Sequence, residues 1–372
     1  MAILRNVLSV KKNNNVKAFL FFGIPILKVE KNNYAIGKDG INRVDYIKYR
    51  YLICNIVVFK FYKKKLRNSE IAKISMSNWM QKDFTFFLKN NDFYEKLKRL
   101  CENLDSESIG TVFKIIARLK SERIYFSEHE LDIYDDIDNN FYPNIIEINN
   151  IYAYNGFYLP INHFEIGVFY HKHSMDLFGE KVLQKIKNKD IIDVGGYIGD
   201  SAIIFEKEFT DKFVYSFEAL EENYIIMLDT LKLNDSTRVI PINLGLGCEN
   251  KSENICIFGS GSSIALKDHF GSENSEKIKI ITLDSYVKEK KINVGFIKVD
   301  IEGYEQEFLK GALETIKTQR PAMLISIYHK VDDFFEIKPF LEKLNLGYKF
   351  KIHKPLDYSI SIETALYCYI DE

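Results

Sequence analysis

The sequence predicts an α/β fold: a mostly parallel sheet of seven strands with helices on both faces, preceded by a mixed, partly helical N-terminal region. Two observations support this prediction. From Lys189 onward, short apolar runs alternate with helical stretches, a rhythm typical of a parallel sheet flanked by helices. One of these runs ends in Asp193 and is followed at once by a glycine-rich turn. We therefore expect an accessory region over residues 1–125 and an α/β domain over residues 126–372, with its core at 186–372.

The accessory region combines a basic part with a helical part. Residues 1–65 hold 14 Lys and Arg against 3 Asp and Glu, a net charge of +11 in a chain whose total is −1. Two apolar runs there, Phe19–Leu27 and Tyr51–Tyr62, are interpreted as short strands or amphipathic segments. Residues 66–125 carry apolar side chains at the spacing of one helix face, namely Val112, Ile115, Ile116 and Leu119. The charge predicts contact with an anionic partner, such as a membrane surface or a nucleotide-sugar, although a solvated lysine-rich face explains it equally well.

Cysteine usage and hydropathy bear on the cellular compartment. The five cysteines form no C-x-x-C pair, which argues against a zinc knot or a disulfide framework and favours a reduced compartment. No apolar run approaches the roughly 18 residues of a membrane-spanning helix, and the N-terminus lacks the pattern of a signal peptide. We expect a cytoplasmic protein, with peripheral association at the inner membrane face as a further expectation for the basic segment.

Seven apolar runs account for the strands of the α/β domain. They are Asp190–Val194, Phe213–Phe217, Val239–Leu244, Gly295–Val299, Ala322–Tyr328, Tyr348–His353 and Thr364–Ile370. An insertion over residues 248–285 interrupts the alternation and contains two glycines and the adjacent Ser262 and Ser263. This insertion predicts a hairpin with a loop over the site.

The glycine turn after the first of these strands predicts a ligand site. The segment Asp193–Asp200 contains three glycines, Gly195, Gly196 and Gly199, which let the backbone approach a ligand closely. A dinucleotide fingerprint would need glycine at positions 197 and 200, which are Tyr197 and Asp200. A nicotinamide or flavin cofactor is therefore disfavoured. The acids at both ends of the turn suit a cation better than a pyrophosphate.

A second carboxylate strengthens the prediction of a nucleoside site. Glu218 closes the second strand, 25 residues after Asp193. A carboxylate in this position can accept hydrogen bonds from both ribose hydroxyls, because it offers two acceptor oxygens. A surface acid is the alternative interpretation for Glu218 taken alone. The turn and the acid at this spacing together favour nucleoside binding.

From about Val168 to its C-terminus, the chain resembles the FkbM family of methyltransferases. The resemblance rests on Asp193–Gly199, Phe217–Glu218, Asn243–Gly247, Gly261–Ser263, Thr282–Asp284 and above all Lys298–Glu305. It implies a Rossmann-like fold, S-adenosylmethionine as methyl donor, and O-methylation, often of sugars in surface polysaccharides or natural products. It also implies that the donor is bound by Asp193, Gly195, Gly196, Gly199, Glu218, Asn243 and Gly245. One departure is Ala219, where many members have proline, and the first 125 residues lie outside the resemblance.

Two residues at neighbouring strand ends are the predicted catalytic pair. Asp300 follows the fourth strand and His329 the fifth, so both are expected in the crevice at the carboxyl edge of the sheet. We predict that His329 is the general base, since a free imidazole accepts protons near neutral pH, and that Asp300 orients it or holds the acceptor. Two alternatives stay open: His329 is structural, or Asp300, Glu302 and His329 bind Mg²⁺ or Mn²⁺.

The acceptor is less well determined by the sequence. The predicted acceptor contacts are Tyr170, His171, Ser262, Ser263 and Glu302. The leading hypothesis is an O-methyltransferase for a sugar hydroxyl of a capsule, lipopolysaccharide or nucleotide-linked glycan precursor. The alternatives are a methyltransferase for a small metabolite or phosphate-bearing precursor, and a non-catalytic binding module of a glycan-assembly complex. A nucleic-acid acceptor is disfavoured, because the catalytic half is acidic.

Overall fold

The computed structural model describes residues 8–12, 16–21, 24–36, 44–53, 56–65, 92–120, 125–256 and 275–371. The chain divides into two units: Met1–Ser77 with Ile116–Pro143, and Asn78–Ile115 with Asn144–Glu372. We refer to them as unit 1 and unit 2. The predicted domain boundary near residue 125 stays a prediction.

Unit 1 contains an antiparallel sheet with its strands in sequence order. Its strands are β1 Leu8–Lys12, β2 Val16–Phe21, β3 Ile24–Ile36, β4 Val44–Ile53, β5 Ile56–Lys65 and β6 Tyr125–Phe126. The apolar runs Phe19–Leu27 and Tyr51–Tyr62 fall largely within these strands, so the strand interpretation of these runs is confirmed.

Three helices lie between residues 93 and 136. They are α1 Phe93–Cys101, α2 Ser106–Lys120 and α3 Glu128–Asp136. The predicted apolar face of α2 is confirmed, because Val112, Ile115, Ile116 and Leu119 are all buried. Helix α3 begins with a capping box, in which the Ser127 hydroxyl and the Glu130 carboxylate each accept a backbone N–H of the other residue.

Unit 2 contains three sheets. Its strands are β7 Ile146–Ile148, β8 Ile151–Tyr154, β9 Phe157–Leu159, β10 Asp190–Val194, β11 Val214–Phe217, β12 Val239–Ile242, β13 Gly245–Leu246, β14 Lys251–Cys256, β15 Ser275–Ile281, β16 Val294–Val299, β17 Ala322–Ser326, β18 Lys349–His353 and β19 Ala365–Tyr369. The largest sheet has seven strands in the order β12-β11-β10-β16-β17-β19-β18. All neighbours pair in parallel except at β19, which runs antiparallel to β17 and β18. The predicted Rossmann-like sheet is confirmed, and each predicted strand begins and ends within two residues of the observed one.

Helices cover the seven-stranded sheet. They are α4 Glu180–Lys187, α5 Asp200–Ile204, α6 Glu221–Leu233, α7 Leu283–Lys290, α8 Glu305–Gly311, α9 Leu313–Gln319 and α10 Val331–Glu342. Every residue of β16 and β17 is buried, as expected for central strands covered on both faces. The carboxyl ends of β10, β11, β16 and β17 meet at one edge of this sheet, so the residues that follow them are brought together.

The predicted insertion forms a hairpin. Strands β14 and β15 pair antiparallel, and β13 pairs with β15 in parallel. The residues that join β14 to β15 include Ser262 and Ser263, which lie outside the described residues. Within the described ranges, no helix combines the length and the hydropathy needed to cross a membrane.

Candidate active site

A cavity of about 350 Å³ opens at the carboxyl edge of the seven-stranded sheet. Its wall includes residues that follow four strand ends: Gly195 after β10, Glu218 after β11, Asp300 after β16 and Tyr328 after β17. This is the edge at which open α/β sheets bind ligands, and the volume suits a small molecule. The cavity therefore lies where the sequence motifs predict the site.

The three glycines of the turn have different roles. Gly195 lines the cavity with φ +79°, and a Cβ atom there would lie 1.9 Å from the carbonyl oxygen of Asp300. A Cβ at Gly196 would lie 2.0 Å from the Ser216 hydroxyl, and one at Gly199 would lie 2.9 Å from Met227. Gly196 and Gly199 are absent from the described cavity wall. Both positions are tightly packed, and their predicted donor contacts stay predictions.

Asp193 also lies behind the cavity wall. Its side chain is fully buried, accepts a hydrogen bond of 2.7 Å from the Ser216 hydroxyl, and lies 3.4 Å from the Lys298 ammonium. Burial raises the pKa of Asp193, and the Lys298 ammonium opposes that shift. Lys298 in turn donates to the Gly195 carbonyl at 2.7 Å. Asp193 thus helps to fix the glycine turn to β16, and its predicted donor contact stays a prediction.

Glu218 faces the cavity as predicted for a ribose acceptor. One carboxylate oxygen accepts from the Tyr197 backbone N–H at 2.9 Å and the other from the Leu220 N–H at 2.8 Å. Burial nevertheless raises the pKa of Glu218 to about 7. A carboxylate has about four lone-pair sites, so two backbone donors leave capacity for a pair of ribose hydroxyls. The geometry fits the proposed ribose contact, which stays a prediction.

Next to Glu218, the wall of the cavity is apolar. Leu220, Ile278 and Ile280 form a buried cluster there, and Ala219 and Tyr304 pack against it. Gly245 belongs to this part of the wall, whereas Asn243 does not. The Asn243 amide donates to the backbone carbonyls of Glu218 and Ala219, at 3.0 and 3.2 Å. Asn243 thus holds the end of β11 in place, and its predicted donor contact stays a prediction. The apolar wall suits a flat ring such as adenine.

On the opposite side of the cavity, three carboxylates surround His329. Its Nδ1 atom lies 2.8 Å from Glu305, and its Nε2 atom lies 3.4 Å from an oxygen of Asp300 and 3.4 Å from an oxygen of Glu302. The side chains of His329 and Glu305 are fully buried. Burial alone would lower the pKa of His329. The surrounding carboxylates, led by Glu305, outweigh this effect and raise the pKa to about 10. An imidazole that already holds two protons cannot accept another, so this geometry argues against the predicted role of His329 as general base.

Asp300 and Glu302 are the members of this group that reach the cavity. Both line it, and each side chain is 25% exposed. Glu302 has φ +54° and is followed by Gly303 at φ +92°, so a strained turn directs the Glu302 carboxylate toward His329. Burial raises the pKa of Glu302 to about 7. The Tyr328 hydroxyl lies 3.4 Å from Asp300, which places a donor beside the exposed carboxylate.

The cavity is more acidic than the motifs indicate. Its described wall carries one ammonium, Lys298, against six carboxylates: Glu165, Asp200, Glu218, Asp300, Glu302 and Glu363. Burial, reinforced by Glu165, raises the pKa of Asp200 to about 7. The sequence identified Asp200 as an acid suited to a cation, but Glu165 and Glu363 belong to no strand-end motif and gave no signal. Burial also raises the pKa of Glu363, and a cationic ligand would favour the ionised form of these acids.

The segment before β10 contributes other residues than those predicted. The His171 Nε2 donates to the Leu356 carbonyl at 3.0 Å, the Tyr170 ring packs edge-on against His171, and neither residue lines the described cavity. His173 does line it, bonded to the Ser201 hydroxyl at 3.0 Å. Burial lowers the pKa of His173 to about 3, so this imidazole is neutral. The predicted acceptor contacts of Tyr170 and His171 stay predictions, and His173 is the histidine of this segment that lines the described cavity.

Comparison with known proteins gives a family match for the larger part of unit 2. Residues 193–350 match the methyltransferase FkbM domain. No curated protein matches the chain.

Several solved structures are similar to this chain, and three of them are described here. A methyltransferase FkbM from Methylobacillus flagellatus is 18% identical over 74% of this chain and 58% of its own, with a TM-score of 0.44. The chain thus spans less than two thirds of that protein. TYW2 from M. jannaschii, in complex with AdoMet, is 15% identical over 59% of this chain and 83% of its own, with a TM-score of 0.31. An rRNA methylase from Streptococcus thermophilus is 14% identical over 50% and 89%, with a TM-score of 0.28.

Proposed function

Because residues 193–350 match the methyltransferase FkbM domain, we propose that this chain transfers a methyl group from S-adenosylmethionine to a sugar hydroxyl. The acceptor is a capsule, lipopolysaccharide or nucleotide-linked glycan precursor. The observation that carries the proposal is the division of one cavity into a nucleoside side, with Glu218 beside an apolar wall, and a side where Asp300 meets solvent.

The cavity residues fit S-adenosylmethionine. The Glu218 carboxylate keeps acceptor capacity for ribose hydroxyls, and the bare backbone of Gly195 permits close approach. The excess of carboxylates suits a ligand that carries a sulfonium and an ammonium group. When bound, the donor supplies a methyl group activated by the adjacent sulfonium. Glu218, Gly195 and Gly245 would hold its nucleoside, and Asp200 and Glu165 would face its cationic end.

The chain's own contribution to the reaction is to position a hydroxyl and to receive its proton. We assign the proton to Asp300, because this carboxylate is 25% exposed at the cavity and can pass it to solvent. Tyr328 orients Asp300 through its hydroxyl, 3.4 Å away. His329 has a positioning role, since it lies fully buried between Asp300, Glu302 and Glu305.

The basic segment, residues 1–65, is proposed to meet an anionic group of the acceptor or an anionic membrane surface. Its net charge of +11 contrasts with the acidic cavity of unit 2. A pyrophosphate-linked sugar would be attracted to the first and repelled by the second. Two alternatives share the donor residues: an acceptor that is a small or phosphate-bearing metabolite, and a non-catalytic module of a glycan-assembly complex.

Calorimetry with S-adenosylmethionine and its demethylated product tests the donor assignment. Glu218→Ala should weaken binding by roughly 1 to 3 kcal/mol, the cost of unpaired hydrogen-bonding groups. Glu222→Ala, which removes an exposed acid of α6 outside the cavity wall, is the matched control and should bind normally. An unmodified protein that binds neither compound would overturn the proposal.

Transfer with isotope-labelled donor tests the acceptor. We expect label on oxygen when nucleotide-sugars and glycan precursors are offered, as identified by NMR of the product. Label on nitrogen, or on RNA in place of glycans, would contradict the sugar O-methyltransferase. Donor binding without transfer to any offered acceptor class would favour the non-catalytic module.

A further inference from the structure

We infer that a second cavity, at the amino edge of the seven-stranded sheet, binds the phosphate or pyrophosphate group of a ligand that also has an apolar part. This amino-edge cavity has a volume of about 310 Å³. Its wall includes Gly295 and Ala322, which lie near the beginnings of β16 and β17. The inference goes beyond the proposed function and does not depend on it.

The amino-edge cavity is separate from the cavity of the candidate active site. Gly295 lines the first and Asp300 lines the second, and five residues of extended strand between them span about 17 Å. Strand β16, which joins the two cavities, is buried along its whole length. The described walls share no residue. A ligand in the amino-edge cavity would therefore occupy a site of its own.

The two cavities differ in charge. The described wall of the amino-edge cavity carries Lys185, Lys189 and Arg320 and no carboxylate. The described wall of the active-site cavity carries six carboxylates against one ammonium. Positive charges that converge in one concave site attract anions, and ammonium and guanidinium groups are the usual phosphate donors in proteins. The charge of the amino-edge cavity therefore predicts an anionic ligand with oxygen acceptors.

A simpler explanation is that these basic residues only neutralise helix ends. Helices α4 and α9 end at Lys187 and Gln319, and a helix C-terminus carries about half a negative charge. The two ends together amount to about one negative charge, which the two positive charges of Lys189 and Arg320 exceed. Within the described part of the chain, neither of these two side chains forms an ion pair. Helix ends alone therefore do not account for the charge of the cavity.

Lys189 is positioned by packing over a glycine. A Cβ atom at Gly295 would lie 2.5 Å from the Lys189 Cβ and 3.2 Å from its Cδ. The lysine stem thus lies directly against the bare backbone of β16. Asp190, the acid next to it in sequence, accepts the backbone N–H groups of Phe213 and Asn293 at 3.2 and 3.1 Å. The nearest carboxylate in sequence is thus used to connect strands and is not part of the described wall.

Arg320 is presented by a firmly held turn. Its φ of +48° and ψ of +53° lie in the left-handed region, at the end of α9, where glycine is the usual residue. The preceding side chain, Gln319, accepts the Val294 N–H at 2.7 Å and donates to the Ile292 carbonyl at 3.0 Å. These bonds fix the turn to the start of β16. The turn holds a guanidinium at the cavity in a conformation in which glycine would be less strained.

The floor of the amino-edge cavity is apolar. Val182, Ile186 and Ala322 are buried there, and Pro321 and Ile370 complete this part of the wall. The volume of about 310 Å³ falls in the range of small-molecule pockets and exceeds the needs of a single phosphate group. The ligand should therefore place an apolar part on the floor and its phosphate at Lys189 and Arg320. A soluble organic phosphate and the headgroup region of a phospholipid share this chemistry.

Calorimetry of the full-length chain with sodium pyrophosphate, at physiological ionic strength, tests the site. The double variant Lys189→Gln with Arg320→Gln should weaken binding at least about tenfold, because it removes two charge-assisted donors. The matched control is Lys181→Gln with Lys317→Gln, which removes two exposed charges from the same two helices outside the wall. It should bind as the unmodified chain does. The basic segment, residues 1–65, is present in every variant, so it contributes equally to all of them.

Gly295→Ala separates the shape of the cavity from its charge. It keeps every charge but displaces the Lys189 stem, so it should weaken pyrophosphate binding several-fold. Circular dichroism verifies that each variant is folded, and the double variant decides if Gly295→Ala is not. The inference is overturned if the unmodified chain does not bind pyrophosphate, or if the double variant and its control lose affinity equally. Normal binding by a folded Gly295→Ala chain also overturns it.

Sedimentation with vesicles of four parts phosphatidylcholine to one part phosphatidic acid identifies the source of the phosphate. Vesicle binding that the double variant loses and its control keeps would identify a lipid headgroup. Equal vesicle binding by the two, together with the expected loss of pyrophosphate affinity, would identify a soluble organic phosphate. Both results support the amino-edge cavity as a phosphate site.

Discussion

The two sides of the cavity are constructed differently. On the Glu218 side, a single carboxylate is held by two backbone N–H groups beside an apolar wall. On the Asp300 side, three carboxylates from one strand end and the helix after it converge on a buried imidazole. The first side is fixed by backbone bonds and needs no counterion, whereas the second concentrates negative charge. We therefore expect donor affinity to depend mainly on the Glu218 side. Substitutions that change a charge should have their largest effects on the Asp300 side.

The largest expected effect is that of Asp300→Asn on the rate of transfer. The substitution keeps the shape of the side chain but removes the charge that receives the proton in the proposed reaction. We expect a loss of roughly two to four orders of magnitude in single-turnover rate. Donor affinity, measured by calorimetry, should change far less, because Asp300 lies opposite the nucleoside side. Normal turnover by this variant would show that the proton leaves by another route.

The next prediction concerns stability and uses a substitution that breaks the buried pair of Glu305 and His329. Glu305→Ala leaves the His329 imidazole buried without its 2.8 Å partner, so we expect a loss of roughly 3 to 5 kcal/mol in the free energy of unfolding. Urea denaturation at pH 7 in EDTA measures it. Glu307→Ala, on the same helix but paired at the surface with Lys310, is the control and should cost about 1 kcal/mol or less. Equal losses in the two variants would contradict a special role for the buried pair.

A smaller effect, on the Glu218 side, is a pH dependence of donor affinity. The pKa of Glu218 is raised to about 7 by burial, and only the ionised form can accept both ribose hydroxyls. At pH 6 Glu218 is protonated in most molecules and must lose its proton before the donor binds. At pH 8 Glu218 is already ionised in most molecules. The affinity should therefore rise about tenfold from pH 6 to pH 8.

Glu218→Gln provides the control for this pH dependence. It should bind weakly at both values and reduce the difference between them. A residual rise with pH is expected from Asp200, whose pKa is also about 7 and whose ionisation favours a cationic ligand. An unmodified protein with the same affinity at pH 6 and pH 8 would show that Glu218 is not protonated in the free protein.

The smallest expected effect extends the comparison to the basic segment. Lys→Gln changes at Lys11, Lys12, Lys63, Lys64 and Lys65 should raise the KM for an anionic acceptor by a few-fold at low salt. They should leave donor affinity unchanged, because the donor residues lie in unit 2. The difference should shrink as salt screens charges beyond about 8 Å at physiological ionic strength. The control replaces exposed lysines of unit 2, Lys181, Lys288 and Lys317. If both sets act alike, the basic segment is only a solvated face.

The two sides also differ in how far the sequence predicts them. Glu218 could be identified because its position depends on local rules: an apolar strand, its end, and a fixed spacing from the glycine turn. The same rules placed Asp300 and His329 next to each other. They do not specify the protonation of His329, because that protonation depends on Glu305, which lies 24 residues earlier in the chain.

Other differences have the same physical origin. Asn243, Gly196 and Gly199 belong to the motifs, but each is explained by packing or backbone bonds behind the wall. Glu165 and Glu363 reach the cavity from segments outside the strand-end motifs, so no periodicity marks them. A motif indicates that a position is constrained, and only the three-dimensional arrangement tells whether a ligand or a neighbouring strand imposes the constraint.

The close backbone contact between Gly195 and Asp300 fixes the distance between two parts of the cavity wall. The backbone N–H of Asp300 donates to the Val194 carbonyl at 3.0 Å, and any side chain at Gly195 would collide with the Asp300 carbonyl. Gly195 and Asp300, which line two different parts of the cavity, thus belong to one hydrogen-bonded piece of backbone. Rotamer changes can move the side chains that line the cavity. The distance between the backbone at Gly195 and at Asp300, however, is fixed by covalent geometry and by the pleat of the sheet. In the proposed reaction, the sheet would fix the distance between the methyl donor and the acceptor oxygen.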